Sequence, residues 1–223
     1  MGIRKTVIEG TCPMSTTTEP AITLYGTPLS GHTHRVEAFL NILGLPYRYV
    51  EAGAELRRSE SFLALNPFGQ IPVLVDGDLV LPDSVAILVY LADRYDASGL
   101  WNPKAPGDAA RVQRWLSIAA GDLRFGPALA RILTLWGGAA SLTDAQAVAG
   151  RVLSFMDGHL ASRDWLAAER PTIADIACYA YVARAPEGRI PLDPYPAVRR
   201  WLERVEAIPA LTPMPQSAIP QTA

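Results

Sequence analysis

A turn and the apolar hairpin that follows it, over residues 66–81, constrain the fold of this chain more than any other segment. Pro67 and Gly69 mark the turn, and two short apolar runs separated by an Asp-Gly pair then indicate two buried strands. Pro72 stands at the start of the first run, where a proline cannot donate to the sheet and a cis bond would be a deliberate feature. The segment therefore predicts a β-hairpin.

The residues on either side of that hairpin suit a small extended peptide as a ligand. A cis bond before Pro72 would leave the backbone N–H and C=O of Ile71 unpaired at an exposed sheet edge, where such a peptide can pair with them. Asp83 and Ser84 then open a helix whose first N–H groups and positive dipole end favour a carboxylate. Asp83 can also pair with an ammonium group. The alternative for both residues is an ordinary helix N-cap.

Composition excludes several classes of protein. The 223 residues (24.1 kDa) are 49% hydrophobic and 19% charged, which is typical of a soluble globular chain. The net charge of −2 offers no basic surplus, so nucleic acid is not an expected partner. No apolar run is long enough to span a membrane and no signal peptide is evident, so we expect a cytoplasmic protein without a membrane partner.

Hydrophobic periodicity and turn residues divide the chain into two domains. Residues 21–96 have the order βαβαββα, which is that of a thioredoxin-like layer. A linker rich in proline and glycine, 97–106, precedes an all-α region at 107–215. The fold class is thus α/β followed by an all-α bundle, with a disordered tail expected at 1–20 and a short tail at 216–223. The predicted strands lie at 21–25, 47–50, 71–75 and 79–81, and the predicted helices at 33–43, 59–65, 83–95, 108–135, 143–160, from 172, and at 195–208.

Two residues near the third helix of the α-domain are interpreted as structural. Thr172 and Asp175 have the spacing of a capping box, so Asp175 is predicted to support folding and not catalysis. Cys178 in the same helix is predicted to be a small core residue. A disulfide with Cys12 is not expected.

The loop between the first strand and the first helix, residues 25–35, is where a thioredoxin-like sheet presents its reactive group. It contains no cysteine, which disfavours a thiol–disulfide reductase that uses a protein thiolate. His32 and His34 lie two residues apart and therefore point in different directions, and no third ligand follows at a suitable spacing. We expect no metal site. His32 can instead line a pocket and titrate near neutrality.

Four segments together carry a resemblance to a known family. They are the Gln70-Ile71-Pro72 turn with Asp83-Ser84, the Ser30-Gly31 pair before a helix start, and the stretches 173–177 and 181–188. Over nearly all of residues 21–215 the chain resembles the glutathione S-transferases, in particular bacterial serine-type members with a plant phi- or theta-like active-site pattern. The resemblance implies a transferase that activates the glutathione thiolate for conjugation to, or reduction of, a small hydrophobic electrophile.

The resemblance implies that Ser30 is the catalytic residue, as a hydroxyl donor to the glutathione thiolate. A free thiol with a pKa of about 8.5 is only about 3% ionised at pH 7, and a shift of two units costs about 2.7 kcal/mol. A hydrogen bond to a charged group supplies about 1.5–3 kcal/mol, so one hydroxyl is sufficient. From local sequence alone Ser30 would be a helix N-cap. Tyr25 and Thr33 remain alternative donors, because many bacterial relatives have Asn where this chain has His32.

The remaining site residues are also implied by the resemblance. Arg57 and Arg58 would bind the glycyl carboxylate of glutathione, although adjacent arginines are more often a solvated face. Gln70 would bond the glutathione backbone and Ile71 would do so through its main chain. The cofactor-binding set is Arg57, Arg58, Gln70, Ile71, Pro72, Asp83, Ser84 and His32, and the electrophile pocket would comprise Leu29, Arg111, Trp115, Phe125, Arg131 and Trp136.

The resemblance further implies a homodimer, in which each domain packs on the other domain of the partner subunit. Glutathione would be the co-substrate, with no metal. The alternative function is a non-catalytic glutathione-binding or protein-interaction module of the same fold.

Overall fold

The first domain is built on a mixed sheet of four short strands in the order β2-β1-β3-β4. Strand β1 pairs parallel with β2 and antiparallel with β3, which forms the predicted hairpin with β4. The computed structural model describes residues 21–220, so the predicted disorder of residues 1–20 and the position of Cys12 lie outside it. The strands are β1 (Ile22–Gly26), β2 (Tyr47–Glu51), β3 (Val73–Asp76) and β4 (Leu79–Pro82).

Three helices cover this sheet. Successive side chains of β1 point to opposite faces of the sheet and therefore pack in different clusters. Leu24 points into the main core, whereas its neighbour Tyr25 packs on the opposite face beside Phe62 and Val73. The order βαβαββα is therefore confirmed. The helices are α1 (Gly31–Ile42), α2 (Glu60–Leu65) and α3 (Ser84–Tyr95), with a short 3₁₀ turn at Leu56–Arg58.

The second domain contains helices only within the described residues. Its central helix is α7, which is buried from Ile173 to Val182 and packs against α1 and α3 of the first domain. Such complete burial explains why its sequence is apolar all round. The helices are α4 (Pro106–Ala120), α5 (Leu129–Trp136), α6 (Leu142–Leu160), α7 (Ile173–Ala183) and α8 (Pro196–Glu206).

The single long helix predicted over residues 108–135 is wrong. Helix α4 ends at Ala120, with Gly121 as its C-cap, a π-type turn follows over Arg124–Ala128, and α5 begins at Leu129. Pro127 inside the turn lacks the N–H that a continuous α-helix requires. Gly126 packs directly on α6, where a Cβ atom would lie 2.8 Å from the backbone nitrogen of Ala149. Close packing and a proline together break the helix.

The predicted capping box at the start of α7 is confirmed. The Thr172 hydroxyl oxygen accepts from the N–H of Ala174, and the Asp175 carboxylate accepts from the N–H of Thr172 at 2.9 Å. Asp175 also accepts from the indole of Trp201 and the N–H of Leu166, each at 3.0 Å. Asp175 thus ties α7 to α8, as expected of a folding residue. Cys178 is fully buried, as predicted.

A membrane-crossing helix requires about 20 predominantly apolar residues. Between residues 21 and 220, none of the helices is long and apolar enough to cross a bilayer.

Candidate active site

A cavity of about 370 Å³ opens where the start of α1, the turn before β3, the start of α3 and the end of α4 meet. Both domains contribute to its wall, because Ala120 and Arg124 belong to the helical domain. The cavity brings together six of the residues predicted to bind glutathione: His32, Gln70, Ile71, Pro72, Asp83 and Ser84. Its other lining residues are Arg35, Asn66, Phe68, Pro82 and Val85.

The turn before β3 is held by hydrogen bonds from one buried residue. The Asn66 side-chain amide donates to the carbonyl of Gln70 at 2.8 Å, and its oxygen accepts from the N–H of Phe68 at 3.2 Å. Gly69 has a φ of 61°, a conformation that suits glycine. The Ile71–Pro72 peptide bond is cis, and β3 begins only at Val73. Ile71 therefore borders the cavity outside the strand ladder.

Asp83 caps helix α3 and lines the cavity at the same time. One of its carboxylate oxygens accepts from the N–H groups of Val85 and Ala86 at 2.8 and 2.9 Å. Its backbone has a φ of 77° and ψ of 117°, which costs a non-glycine residue about 1–3 kcal/mol. Strain of this kind concentrates at functional sites. The N-cap alternative for Asp83 is thus correct, and it is compatible with a ligand at the same helix start.

Ser84 is the centre of a buried polar cluster below the cavity. Arg35 Nη1 donates to Ser84 Oγ at 3.2 Å, and the same oxygen lies 3.2 Å from His32 Nδ1. Arg35 is only 1% exposed, and its Nε and Nη2 have no hydrogen-bond partner among the described residues. Its guanidinium lies over the ring of Tyr181, 5.9 Å from the centroid. A buried cation without an acidic partner is costly.

His32 stays neutral in this setting. Burial lowers the pKa of its imidazole well below the usual 6.5, and the positive charges of Arg35 and Arg124 lower it further. The ring packs edge-on against Tyr181 with centroids 5.0 Å apart. Gly31 is required beside it, because a Cβ there would lie 2.8 Å from the Tyr181 ring. The Ser-Gly pair is therefore explained partly by close packing of α1 on α7.

Ser30 is the N-cap of α1, where its Oγ accepts from the N–H of Thr33 at 3.2 Å. Its side chain is half-buried beside the cavity-lining start of the helix. Ser30 itself is not among the residues that line the cavity, and neither are the alternative donors Thr33 and Tyr25. Thr33 is fully buried and lies against Gly26 and Thr27, while the Tyr25 ring packs edge-on against Phe62 on the other face of the sheet.

Arg57 and Arg58 border a neighbouring depression and do not line the main cavity. That depression shares Phe68 with the main cavity and also contains Pro67 and Gly69. The two arginines therefore flank the turn on the side away from Ser84.

The residues predicted for the electrophile pocket separate into two groups. Arg111 and Trp115 line a different cavity, because only the last turn of α4 reaches the first one. Nine helical residues separate Arg111 from Ala120, which is about 13 Å along the axis. Leu29, Phe125 and Trp136, in contrast, are exposed apolar side chains near the loop before α1 and the α4–α5 connection.

Arg131 is a structural residue in this fold and does not face open space. It is 2% exposed, and each of its three nitrogens has a partner. Nε donates to Glu187 at 2.6 Å, Nη1 donates to the carbonyl of Leu29 at 2.8 Å, and Nη2 donates to Ser217 at 3.0 Å. Its guanidinium also lies over the ring of Trp136, 5.3 Å from the centroid. It thus connects α5, the loop before Ser30 and the C-terminal segment.

No group of three or more His, Cys, Asp or Glu side chains suited to a metal ion occurs within residues 21–220. His34 is buried, and its Nε2–H donates to the carbonyl of Thr212 at 2.8 Å. It therefore holds the C-terminal segment against α1.

Comparison with known proteins places this architecture in a family. A model of the glutathione S-transferase N-terminal domain matches residues 24–99, and a model of the C-terminal domain of the same family matches residues 136–209. Glutathione S-transferase 3 of Zea mays is 36% identical over 200 residues, covering 84% of this chain and 90% of its own.

The chain belongs to the glutathione S-transferase family.

Other members of the glutathione S-transferase family extend the comparison. The disulfide-bond oxidoreductase YfcG of Escherichia coli is 32% identical and covers 85% of this chain and 92% of its own. A glutathione S-transferase structure from Xanthobacter autotrophicus superposes with a TM-score of 0.80 at 35% identity, covering 87% of this chain and 97% of its own. A theta-class member from Xanthomonas axonopodis, solved with glutathione bound, has a TM-score of 0.77 at 26% identity, with coverages of 86% and 95%.

Three polar residues that line the cavity were absent from the site predicted from the sequence. Asn66 and Arg35 are buried polar residues, and Arg124 comes from the turn that breaks the predicted long helix. Asn66 opens the turn that was recognised, so its role as a turn-holding residue had a local signal. Arg35 had none, because an arginine four residues into a helix is usually exposed.

Proposed function

We propose that this protein is a glutathione transferase that binds glutathione in the 370 Å³ cavity and ionises its thiol. The observation that carries the proposal is the convergence of two peptide-binding features on one cavity. One is the backbone at Ile71, outside the strand ladder, and the other is the start of α3 at Asp83 and Ser84. Separately each feature has a structural explanation, but together they match a short peptide with a zwitterionic end.

The proposed binding mode follows the cavity from α3 to α2. The γ-glutamyl carboxylate binds at the start of α3, where the helix dipole and Ser84 favour an anion. The γ-glutamyl ammonium pairs with Asp83, whose second carboxylate oxygen makes no hydrogen bond within the described chain. The cysteinyl backbone pairs with Ile71 beside Gln70. The glycyl carboxylate extends past Phe68 toward Arg57 and Arg58.

Ser30 is proposed as the thiolate stabiliser. Its oxygen accepts from the N–H of Thr33, which leaves the hydroxyl hydrogen to donate to a sulfur at the start of α1. The dipole of α1 acts in the same direction. The thiolate then forms a bond to an electrophilic carbon as the leaving group departs with the bonding electrons. Alternatively it attacks one oxygen of a peroxide, the O–O bond breaks and an alcohol leaves, and a second glutathione displaces water from the resulting sulfenic acid to give oxidised glutathione.

The second substrate is proposed to be small and largely hydrophobic. Leu29, Phe125 and Trp136 are 38%, 59% and 57% exposed, which is high for large apolar side chains. Leu29 directly precedes Ser30, and Trp136 packs on Arg131, which donates to the carbonyl of Leu29. Such exposure supports an open apolar surface where an electrophile can approach the thiolate.

Disulfide reduction is a second candidate, favoured by the similarity to a protein named a disulfide-bond oxidoreductase. The loop at residues 25–35 has no cysteine, so glutathione itself would supply the thiols. Two glutathione molecules would then reduce one disulfide, releasing two thiols and one oxidised glutathione. We also propose a cytoplasmic homodimer, on the basis of the family alone.

The proposal is tested by calorimetric titration of glutathione into the wild type, Ser84→Ala and the exposed-serine control Ser117→Ala. We expect saturable binding in the wild type and the control, and binding at least about tenfold weaker in Ser84→Ala, because a charge-assisted hydrogen bond is lost. Turnover with a chloronitrobenzene, a peroxide and a small disulfide then separates the activities. Binding without turnover of any of the three would favour the non-catalytic module, and absence of binding would refute the proposal.

A further inference from the structure

A second cavity, of about 560 Å³, lies in the helical domain away from the proposed glutathione site. It is enclosed by the N-terminal half of α4, the C-terminal end of α6 and the segment that follows α6. Its volume is that of a small-molecule site. The polar residues of its lining are Asp108, Arg111, Arg114, His159, Arg163, Glu169 and Arg170, and its apolar wall includes Trp115, Leu166 and Ala167.

The lining has an excess of positive charge. Arg111 pairs with Asp108, but no Asp or Glu within residues 21–220 lies within 4.0 Å of the charged nitrogens of Arg114, Arg163 or Arg170. Three guanidinium groups, one from α4 and two from the segment that follows α6, therefore border one cavity without an acidic partner.

The arginines have structural contacts that leave most of their donors available. Arg114 lies over the ring of Phe155, 5.1 Å from the centroid, and makes no side-chain hydrogen bond to the described chain. Arg163 uses one nitrogen to donate to the carbonyl of His159 at 3.3 Å. The Nε of Arg170 is buried and has no partner in the described part of the chain. Buried donors are normally paired, so this one is available to an acceptor.

The pKa of His159 is also affected by the positive charge around this cavity. Its Nε2–H donates to the carbonyl of Leu166 at 2.8 Å, and its ring packs edge-on against Trp115 with centroids 4.9 Å apart. Burial lowers the pKa of this imidazole, and the charges of Arg163 and Arg114 lower it further. The acidic groups that face the same cavity, Asp108 and Glu169, do not offset this effect.

We propose that this cavity is a binding site for a small phosphorylated molecule, separate from the glutathione site. Planar guanidinium groups match phosphate oxygens with pairs of parallel hydrogen bonds, and three of them suit a dianion. The cavity is larger than a phosphate group requires, and Leu166 and Ala167 provide an apolar wall for an organic ester. The inference does not depend on the proposed transferase activity.

The test is a calorimetric titration of phenyl phosphate and of inorganic phosphate, with sodium chloride at matched ionic strength as the ionic control. The variants are Arg114→Gln and Arg170→Gln, with Arg200→Gln on the exposed face of α8 as the charge-matched control. We expect saturable binding in the wild type and Arg200→Gln, weakened about tenfold or more in the two cavity variants. Glutathione binding should be unchanged in all of them.

The second readout is the pKa of His159, followed by NMR; a His159→Gln variant assigns its signal among the three histidines. A bound phosphate neutralises the nearby arginines, so the pKa of His159 should rise on its addition and also in Arg114→Gln without ligand. Tighter binding of phenyl phosphate than of inorganic phosphate assigns an organic ester, and equal affinity assigns the phosphate group alone. Binding that sodium chloride reproduces, or that Arg200→Gln weakens as much as the cavity variants do, would overturn the proposal.

Discussion

At the scale of single residues, Arg35 is the least expected component of the site. It is buried without an acidic partner, and only one of its donors is used, on Ser84 Oγ. Burial of a charge without an acidic partner destabilises the folded state. Its hydrogen bond occupies one lone pair of Ser84, so the hydroxyl hydrogen must point to His32 or to a ligand. Arg35 is therefore interpreted as a residue that positions Ser84 for the carboxylate.

Arg35→Met should separate binding from stability. Methionine removes the buried charge, so the ligand-free variant should unfold at the same urea concentration as the wild type or at a higher one. Glutathione should bind about tenfold more weakly, because Ser84 is no longer oriented. Urea unfolding and calorimetry measure the two effects, with the exposed Arg151→Met as the control. A destabilised variant with normal glutathione affinity would show that Arg35 has a structural role only.

At the scale of elements, the C-terminal segment is bound to both domains by a small number of polar contacts. Thr212 accepts from His34, Met214 accepts from Arg184, and Ser217 contacts both Arg131 and Glu187. Through Arg131 the same network reaches the carbonyl of Leu29, directly before Ser30. The segment thus supports the loop that carries the proposed catalytic hydroxyl.

Arg131→Met should destabilise the protein by about 3 kcal/mol, the lower end of the range for breaking a buried ion pair. Glu187 loses its partner at 2.6 Å and keeps only Arg184 at 3.8 Å and the N–H of Ser217. The double variant Arg131→Met with Glu187→Leu should recover a substantial part of that loss. A double-mutant cycle from urea unfolding gives the coupling between the two residues. Additive effects of the two substitutions would contradict a buried ion pair that acts as a unit.

Element boundaries also show what the sequence could predict. Strands, the hairpin, the capping box and the two-domain order follow from local patterns and were predicted correctly. The break after α4 was missed although Pro127 is a local signal for it; the packing of Gly126 on α6 is a contact between distant segments that the local sequence does not show. Arg111, Trp115 and Arg131 were assigned to the electrophile pocket through the family resemblance, which does not determine the cavity or the partner that each side chain meets. Periodicity indicates that a side chain faces inward, but not which cavity or partner it meets.

At the scale of the whole molecule, all three histidines have a depressed pKa. Burial is the largest cause for His32, His34 and His159, and nearby arginines add to it. At pH values between these lowered pKa values and the ordinary 6.5, the folded protein therefore binds fewer protons than the unfolded chain. In that pH range the free energy of unfolding increases with pH.

Stability should consequently fall as the pH is lowered through 6.5 toward the lowered pKa values of the three histidines. Urea unfolding midpoints across this range measure the effect. His34→Gln should reduce the slope, because one of the groups that must be protonated on unfolding is removed. A midpoint that is constant or that rises on acidification through 6.5 would contradict the burial of neutral imidazoles.

The proposed role of Ser30 is to ionise glutathione held in the cavity between α1, the turn before β3 and α3. The ultraviolet absorbance of the thiolate, followed against pH with saturating glutathione on the wild type and Ser30→Ala, tests that role. We expect a bound thiol pKa below 7 in the wild type, returning toward about 8.5 in Ser30→Ala while glutathione still binds. An unshifted pKa in the wild type, or the same lowered value in both proteins, would contradict it.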